Sequence, residues 1–418
     1  MHSLRRYVSY ESTRDSQVRW IGKVPAHWSV KTLNRDGPVL RGSSPRPIDS
    51  PDYFDDEGEY AWVRIEDVTS SSDGYLRTTT QRLSPLGASY SRKLAPGQLF
   101  LSMAATVGKP CITAIQCCIH DGFVYFPYLR LYPRFAYYVF ASGELFRGEG
   151  KLGTQLNLNT QIIGALRVPV PPPDEQRAIA AFLDREMARI DALIDKKQRL
   201  IELLQEKRTA LISHAVTKGL LADVPTRPSG VPWLGQVPGH WQVKRLKFAV
   251  TFQRGHDLPT VDRTDGEVPV VTSAGSSGLH DKATAKGPGI VTGRYGTIGT
   301  FHLIDCDYWP LNTTLYSIDL HGNRPRFLWY MLHVLTDVFL VNSTKSAVPG
   351  VDRSDLHQVL VAVPPDDEQA AIAQYLDEEC RKFERLSAAV FSAIERLREY
   401  RSALISATVT GTIDVRNG

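Results

Sequence analysis

The stretch PPPDEQRAIAAFLD at residues 171–184 recurs as PPDDEQAAIAQYLD at residues 364–377. Proline breaks a helix except in its first turn, and acidic residues are favourable there because they complement the helix dipole. In the first copy, Asp174 is a good N-cap residue and Glu175 follows it. Each stretch therefore predicts the beginning of a helix.

An apolar repeat continues after each stretch. Its spacings alternate between four and three, the heptad pattern of a coiled coil, with basic residues interrupting it. Each helix would run for about 40 residues, roughly 60 Å at 1.5 Å per residue. The repeat positions are Leu183, Met187, Ile190, Ile194, Lys197, Ile201, Leu204, Arg208, Leu211 and Ala215 in the first copy, and Leu376, Cys380, Phe383, Ser387, Val390, Ile394, Leu397, Arg401, Leu404 and Thr408 in the second.

An apolar face of this length must be covered, and the simplest cover is the other copy. A parallel pair would place both halves of the chain at the same end of the helices. An antiparallel pair would place them at opposite ends, which suits tandem repeats related by a pseudo-twofold axis. We therefore expect the two helices to form an antiparallel coiled coil.

A second repeat opens each half of the chain. Residues 13–33 and 226–246 are identical at thirteen of 21 positions. They share the box Trp-x-Gly-x-Val-Pro-x-His-Trp, at Trp20–Trp28 and Trp233–Trp241. The chain is therefore a duplication in the order variable region, shared helix, variable region, shared helix. A duplication that keeps its helices and diverges between them is expected of a protein that reads two different ligand halves.

The variable regions have the pattern of mixed α+β structure with many loops. Short strands are predicted at Leu99–Ser102, Val268–Thr272 and Gly289–Thr292, and amphipathic helices at Phe135–Phe146 and Phe327–Val341. The predicted fold class is α+β, with two pseudo-repeated mixed α/β domains joined by the two long helices. The predicted domains cover residues 1–170 and 221–363, and the predicted helical segments cover residues 171–220 and 364–418.

Composition limits the class of protein. The 418 residues suggest two to four domains. The absence of a long apolar run and of a signal peptide predicts a cytoplasmic location. The net charge of +4 permits nucleic-acid binding without indicating it, so any DNA contact must come from local patches. Five cysteines without a C-x-x-C pair predict free thiols rather than disulfides or zinc. No phosphate loop or methyltransferase box is present, which predicts that the chain has no catalytic activity of its own.

The repeated box resembles the opening of the target-recognition domains in specificity subunits of type I restriction–modification systems. The run from Gly293 to Gly299 is similar to that family, as is the Pro-Pro-x-x-Glu-Gln-x-x-Ile-Ala-x-x-Leu-Asp helix start. The resemblance implies that each domain reads one half of a bipartite, asymmetric DNA site. It implies that the helices space the halves and dock two methyltransferase subunits, and that endonuclease/translocase subunits join them. S-adenosylmethionine, ATP and Mg would belong to those partners, and this chain would bind no cofactor.

Candidate DNA-binding residues lie on glycine-rich or polar loops. Arg294 and Tyr295 sit among glycines that would let the backbone approach a DNA groove, where Arg can bond guanine bidentately. A plain turn is the alternative. The first half has Ser102–Thr106 at this place, so an arginine contact cannot be assumed there. The full candidate set is Arg41, Arg64, Lys109, Gln155, Asn157, Asn159, Arg254, Thr272, Arg294, Tyr295, Thr297, Lys345 and Ser346.

Six residues of the helices are candidates for docking partners or for a spacer role: Glu175, Gln176, Arg208, Glu368, Gln369 and Arg401. The two arginines could instead be salt-bridged within the helix pair. His27 and His240 lack companion ligands for a metal, so we expect them to be packed parts of the box. The competing hypothesis for the whole chain is a protein–protein scaffold, with tandem modules on a coiled coil and no DNA contact.

Overall fold

The computed structural model describes residues 7–71, 73–103, 107–146, 158–294, 299–336 and 353–416. The chain divides into two compact units, which are described separately. Unit 1 comprises Met1–Lys196 and Ser392–Gly418, and unit 2 comprises Lys197–Phe391. Both boundaries fall inside the predicted long helices. Each unit therefore contains one variable region together with part of each helix.

The strands of unit 1 form two main sheets and two small pairs. The strands are β1 (Thr13–Asp15), β2 (Lys23–Pro25), β3 (Ser29–Thr32), β4 (Leu40–Arg41), β5 (Tyr60–Val63), β6 (Tyr75–Leu76), β7 (Gln81–Leu83), β8 (Arg92–Leu94), β9 (Leu99–Ser102), β10 (Pro110–Thr113), β11 (Cys117–Ile119), β12 (Phe123–Tyr125) and β13 (Arg167–Val170). The main sheets have the orders β4-β12-β9-β10-β6 and β7-β5-β11-β8, and the small pairs are β1-β2 and β13-β3. The strand predicted at Leu99–Ser102 is confirmed as β9.

The helices that begin in unit 1 are α1 (Ile65–Ser70), α2 (Pro85–Ser89), α3 (Pro133–Ala141), α4 (Thr160–Ala165) and α5 (Pro173–Lys218), with short 3-10 turns at Leu33–Arg35, Pro51–Tyr53 and Glu144–Phe146. The helix predicted over Phe135–Phe146 is therefore interrupted. Gly143 adopts φ +67°, and a glycine with positive φ ends a helix readily. The main core of unit 1 packs α3 and α5 against the sheet, with Phe135 and Leu183 fully buried.

Unit 2 repeats this architecture with fewer strands among its described residues. Its elements are β14 (Thr226–Pro228), β15 (Gln236–Pro238), β16 (Gln242–Arg245), β17 (Thr251–Arg254), β18 (Val268–Thr272), β19 (Gly275–His280), β20 (Gly289–Gly293), β21 (Phe301–Ile304), β22 (Trp309–Pro310), β23 (Thr314–Asp319), α6 (Pro325–Val334), α7 (Arg353–Gln358), β24 (Leu360–Val363) and α8 (Asp366–Val409), with 3-10 turns at Leu246–Phe248 and Thr260–Asp262. The sheet orders are β17-β23-β20-β21 and β19-β18-β22, and the pairs are β14-β15 and β16-β24. The strands predicted at Val268–Thr272 and Gly289–Thr292 are confirmed as β18 and β20. The helix predicted over Phe327–Val341 is α6, which ends at Val334; residues 337–352 lie outside the described part of the chain.

The two long helices are present as predicted, with 46 residues in α5 and 44 in α8. Every predicted repeat position is buried or half-buried. The end of α8 belongs to unit 1 together with the beginning of α5, and unit 2 holds the reverse combination. The beginning of each helix is thus grouped with the end of the other, which confirms the antiparallel arrangement. The N-cap prediction for Asp174 is wrong by position: α5 begins at Pro173, whose fixed φ suits the first helical residue.

Candidate nucleic-acid interface

The repeated tryptophan box of unit 1 is fixed by the glutamate at the start of α5. The indole N–H of Trp28 donates to Glu175 Oε2 at 2.7 Å, and His27 Nε2 lies 2.6 Å from Glu175 Oε1. The Tyr10 hydroxyl donates to the same carboxylate at 3.3 Å, and the Arg416 guanidinium lies 3.6 Å away. Four polar groups therefore surround a carboxylate whose side chain is only 12% exposed.

Unit 2 repeats the two central contacts of this arrangement. The Trp241 indole N–H donates to Glu368 at 2.9 Å, and His240 is hydrogen-bonded to the other carboxylate oxygen. The Glu368 side chain is 35% exposed. Both histidines belong to the hydrogen-bonded box, but their side chains are 43% and 42% exposed, so the expectation that they are packed is wrong. The glutamates were predicted to dock partners or to act in the spacer, and the structure uses them to attach the box to its helix.

The glutamines beside these glutamates are buried. Gln176 and Gln369 are each 3% exposed. Gln176 accepts a hydrogen bond from the Tyr132 backbone N–H at 2.7 Å, and Gln369 accepts one from the Arg324 backbone N–H at 2.9 Å. Both side chains therefore serve packing within their own unit, and their predicted docking or spacer role stays a prediction.

A second repeated anchor joins the variable region to the helix. Arg134 Nε donates to Asp184 Oδ1 at 2.7 Å, and the Tyr138 hydroxyl donates to the same oxygen at 2.6 Å. The Arg134 side chain is only 8% exposed. The same contacts in unit 2, at 2.7 and 2.6 Å, join Arg326 and Tyr330 to Asp377. This anchor was not predicted from the sequence, although the Leu-Asp pair that ends both copies of the helix stretch contained the signal.

The two arginines of the apolar repeat differ in their contacts. Arg401 lies 3.3 Å from Asp191, both within unit 1, at the wall of a cavity of about 650 Å³. This contact fits the salt-bridged alternative. Arg208 is half-buried, and its Nε is a buried donor without a hydrogen bond among the described residues. Its predicted docking or spacer role stays a prediction.

Several strand ends of unit 1 meet at one place, which we call the strand-end edge. It consists of Arg41, which ends β4, of Arg64 and Met103, which follow β5 and β9, and of residues 120–122, which precede β12. The Met103 N–H donates to Gly122 O at 2.8 Å, which joins the end of β9 to the turn before β12. Arg41 donates from Nε to the backbone oxygen of Asp121 in the same turn. The chain thus gathers side chains that are separated by up to 80 residues.

His120 is a half-buried member of this edge. Burial lowers the pKa of His120, Asp121 opposes that shift, and the positive charges of Arg64 and Arg41 lower the pKa further. The neutral ring has a specific role, because Nδ1 accepts the Gly122 backbone N–H at 2.8 Å. His120 therefore shapes the turn, while the arginines carry the positive charge of the edge.

Unit 2 builds the same edge from Arg254, Thr272, Arg294 and residues 311–313. The Arg294 N–H donates to Thr313 O at 2.9 Å, as Met103 does to Gly122 in unit 1. The Leu311 N–H donates to Val271 O at 2.9 Å, beside the end of β18. The edges therefore correspond position by position, although the sequences around them differ.

One glycine in each edge makes this geometry possible. A Cβ at Gly42 would clash with the backbone oxygens of His120 and Ile119, and a Cβ at Gly255 would clash with those of Leu311 and Pro310. The arginines that precede these glycines, Arg41 and Arg254, are both exposed. A close backbone approach thus fixes one arginine at the same place in each unit.

The two edges contain five of the candidate DNA-binding residues. Arg41 and Arg64 lie in unit 1, and Arg254, Thr272 and Arg294 lie in unit 2. Thr272 is partly consumed there, because its hydroxyl donates to Gly275 O at 2.9 Å in the turn after β18.

Two further candidates make structural contacts elsewhere. Asn159 caps α4 by accepting the Ile162 N–H at 2.8 Å. Lys109 donates from Nζ to Thr69 O at 3.1 Å, and burial lowers its pKa. The remaining candidates lie outside the described residues: Gln155, Asn157, Tyr295, Thr297, Lys345 and Ser346.

Sequence reasoning missed the residues that organise the edges. In unit 1, Asp121 lies 3.0 Å from the Arg46 guanidinium and accepts the Ser44 hydroxyl at 3.1 Å. In unit 2, the Asn312 amide donates to Asp257. These contacts span 55 to 77 residues and belong to no motif, so no local signal marks them.

Other classes of site find little support in the described part of the chain. No cluster of three or more His, Cys, Asp or Glu side chains there is arranged to hold a metal ion. The cysteines are free, as expected. Among the described helices, none has the length and apolar character needed to cross a membrane.

Comparison with known proteins identifies one relative along nearly the whole chain and another along part of it. The specificity subunit of the type I restriction enzyme EcoDI from Escherichia coli is 21% identical over 434 residues, covering 94% of this chain and 90% of that protein. The MjaIX specificity subunit from Methanocaldococcus jannaschii is 24% identical over 250 residues, covering 57% and 55%.

Two solved structures share the fold at 15% sequence identity. A chain from a study of complex assembly and conformational transition of the type I R-M system has a TM-score of 0.74, covering 92% of this chain and 98% of that one. The HsdS subunit from Thermoanaerobacter tengcongensis has a TM-score of 0.54, with coverage of 93% and 98%. Residues 40–203 and 238–388 each match the type I restriction modification DNA specificity domain. These two matches span most of the chain, which therefore belongs to the family of type I restriction–modification DNA specificity proteins.

Proposed function

We propose that this chain is the DNA-sequence-recognition subunit of a type I restriction–modification complex. Unit 1 reads one half of a bipartite, asymmetric DNA site and unit 2 reads the other. The reading directs adenine methylation and restriction, which partner subunits carry out. The chain itself is not catalytic, and it acts in the cytoplasm.

The observation that carries this proposal is the pair of matched strand-end edges. Each edge keeps an exposed arginine that is followed by a position where only glycine fits. These pairs are Arg41-Gly42 and Arg254-Gly255. The neighbouring side chains differ: Arg64 stands where unit 2 has Thr272, and Met103 stands where unit 2 has Arg294. A retained framework with exchanged polar side chains supports the reading of two different base sequences.

The partners follow from the family rather than from a contact in this structure. We propose two methyltransferase subunits docked on the long helices, with endonuclease/translocase subunits completing the complex on double-stranded DNA. S-adenosylmethionine, ATP and Mg belong to those subunits. The glutamates and glutamines at the helix starts face the units' own packing, so docking would use the exposed positions of α5 and α8.

The scaffold hypothesis is less well supported, because it gives no reason for two edges that match in backbone and differ in polar side chains. The proposal is tested by selecting bound duplexes from a random DNA library with the complex of this chain and methyltransferase subunits. We expect enrichment of two short tracts separated by a gap of fixed length and free sequence. If the assembled complex enriches no sequence, sequence-specific DNA recognition is contradicted and the scaffold hypothesis remains.

A further inference from the structure

We propose that Arg41 and Arg46, held by Asp121, form a guanine-binding site in the strand-end edge of unit 1. In this arrangement Asp121 is a positioning residue, and the arginines contact the base. The inference rests on the proposed function. It adds the identity of one base that is recognised and of the residue that orients the two arginines.

Asp121 organises both arginines from a single turn. Its Oδ2 atom lies 3.0 Å from Arg46 Nη2 and 3.9 Å from Arg41 Nη2. Arg41 Nε also donates to the Asp121 backbone oxygen. The second carboxylate oxygen accepts the Ser44 hydroxyl at 3.1 Å, which fixes the carboxylate plane. The carboxylate of Asp121 therefore restrains Arg46 directly, whereas Arg41 is restrained by the backbone oxygen of Asp121 and lies within ion-pair distance of the carboxylate.

The arginines remain available to a ligand. The Arg41 side chain is 59% exposed and the Arg46 side chain 78%, while Asp121 is 37% exposed. A guanidinium has five N–H donors, and the contacts with Asp121 use only some of them. Restraint before binding lowers the entropy lost when a long side chain meets its ligand. The free fork of a restrained guanidinium matches the O6 and N7 acceptors of guanine, which makes this base the favoured ligand.

The matched position in unit 2 has different chemistry. Asn312 occupies the place of Asp121, since both lie in the turn before the strand that pairs with the arginine strand. Its amide donates to Asp257, which stands where unit 1 has Ser44. Arg254 makes no ion pair with a described residue. Unit 2 therefore keeps the arginine that corresponds to Arg41 and lacks the carboxylate of Asp121, so this guanine site belongs to unit 1 alone.

The test uses the complete complex with methyltransferase subunits, and duplexes in which each position of the selected site carries each of the four bases. The Asp121→Asn variant keeps the size of the side chain and copies the residue of unit 2. We expect the preference for guanine at one position of one half-site to fall about tenfold or more. Preferences in the other half-site should not change, which gives an internal control.

Two more variants keep the test decisive. Arg46→Gln changes a side chain on the surface and should reduce the same guanine preference without affecting folding. Asp73→Asn removes another exposed carboxylate that is paired with an arginine in unit 1, at 2.7 Å from Arg77, and should leave every base preference unchanged.

Either of two results would overturn the inference. The first is that Asp121→Asn and Arg46→Gln leave the base preferences intact. The second is that they weaken binding equally for all DNA sequences, which is the signature of phosphate contact. Failure of the proposed function looks different, because the unmodified complex would then show no base preference at all.

Discussion

The indole nitrogen of Trp28 lies 2.7 Å from a carboxylate oxygen of Glu175, and Trp241 stands in the same relation to Glu368 at 2.9 Å. In each unit the first turn of a long helix thus holds the box that opens the variable region. Loss of this contact should therefore lower the stability of the unit that contains it.

Replacing Glu175 by Ala should destabilise unit 1 more than Glu368→Ala destabilises unit 2. The Glu175 carboxylate is 12% exposed and has four polar partners, whereas Glu368 is 35% exposed and bonds to His240 and Trp241. Hydrogen bonds to a charged group contribute about 1.5–3 kcal/mol. We expect a loss of about 2–3 kcal/mol for Glu175→Ala and about 1 kcal/mol for Glu368→Ala in urea unfolding followed by tryptophan fluorescence. Equal losses would contradict the difference in environment.

A parallel comparison tests the second anchor. Asp184→Asn leaves the guanidinium of Arg134, which is 8% exposed, without its carboxylate. Asp377→Asn does the same to Arg326, which is 42% exposed and can recover water. Removing one partner of a buried pair is costly, but the exposure of Asp184 reduces the effect to about 2 kcal/mol. The melting temperature of the Asp184→Asn variant should therefore be lower than that of the Asp377→Asn variant. The opposite order would contradict the stabilising role of the Arg134–Asp184 pair.

Acidification should destabilise both units through two histidines. Burial lowers the pKa of His120 and of His357, while each accepts a backbone hydrogen bond that protonation would break. Below the ordinary histidine pKa of about 6.5 the unfolded chain binds more protons than the folded chain, so the free energy of unfolding falls as pH falls. Above that pH, the contribution of these two histidines to the free energy of unfolding should be constant. The stability difference between pH 7.5 and 5.5 should shrink in the His120→Asn and His357→Asn variants. An unchanged difference would exclude these histidines as its source.

The glycines of the edges should tolerate no side chain. Gly42→Ala would force the backbone of β4 away from the turn at His120, and Gly255→Ala would do so at Leu311. Overpacking of this kind costs about 1–3 kcal/mol. Each variant should also weaken base preference in one half-site only, as measured by duplex selection. Gly239→Ala is the control, because its Cβ would meet only one oxygen at 3.2 Å. Loss of preference in both halves from a single variant would contradict separate reading by the two units.

The long helices could be predicted because their signal is local and repeated. Heptad spacing, proline and acidic first turns all lie within the segment that becomes the helix. The same stretches did not show that Gln176 and Gln369 are buried, since burial depends on backbone N–H groups that lie about 45 residues away along the chain. Sequence pattern identifies an element more readily than the partner of an element.

The strand-end edges show the same limit. Arg41 and Arg254 stood out because each precedes a glycine at matching offset in the duplication. Asp121 and Asn312 did not stand out, because a single residue in a short turn has no periodicity and the two halves differ there. The framework of the candidate site was therefore accessible from the duplication, whereas its chemistry depends on contacts between segments 55 to 80 residues apart.

A comparison of DNA methylation patterns in the host with and without this chain would test directly whether each unit reads one half of the site. We expect one bipartite methylation motif, with two different half-sites and a gap of fixed length, that disappears when the chain is removed. A methylation pattern that does not depend on the chain, or a single uninterrupted motif, would contradict the claim that each unit reads one half of the site.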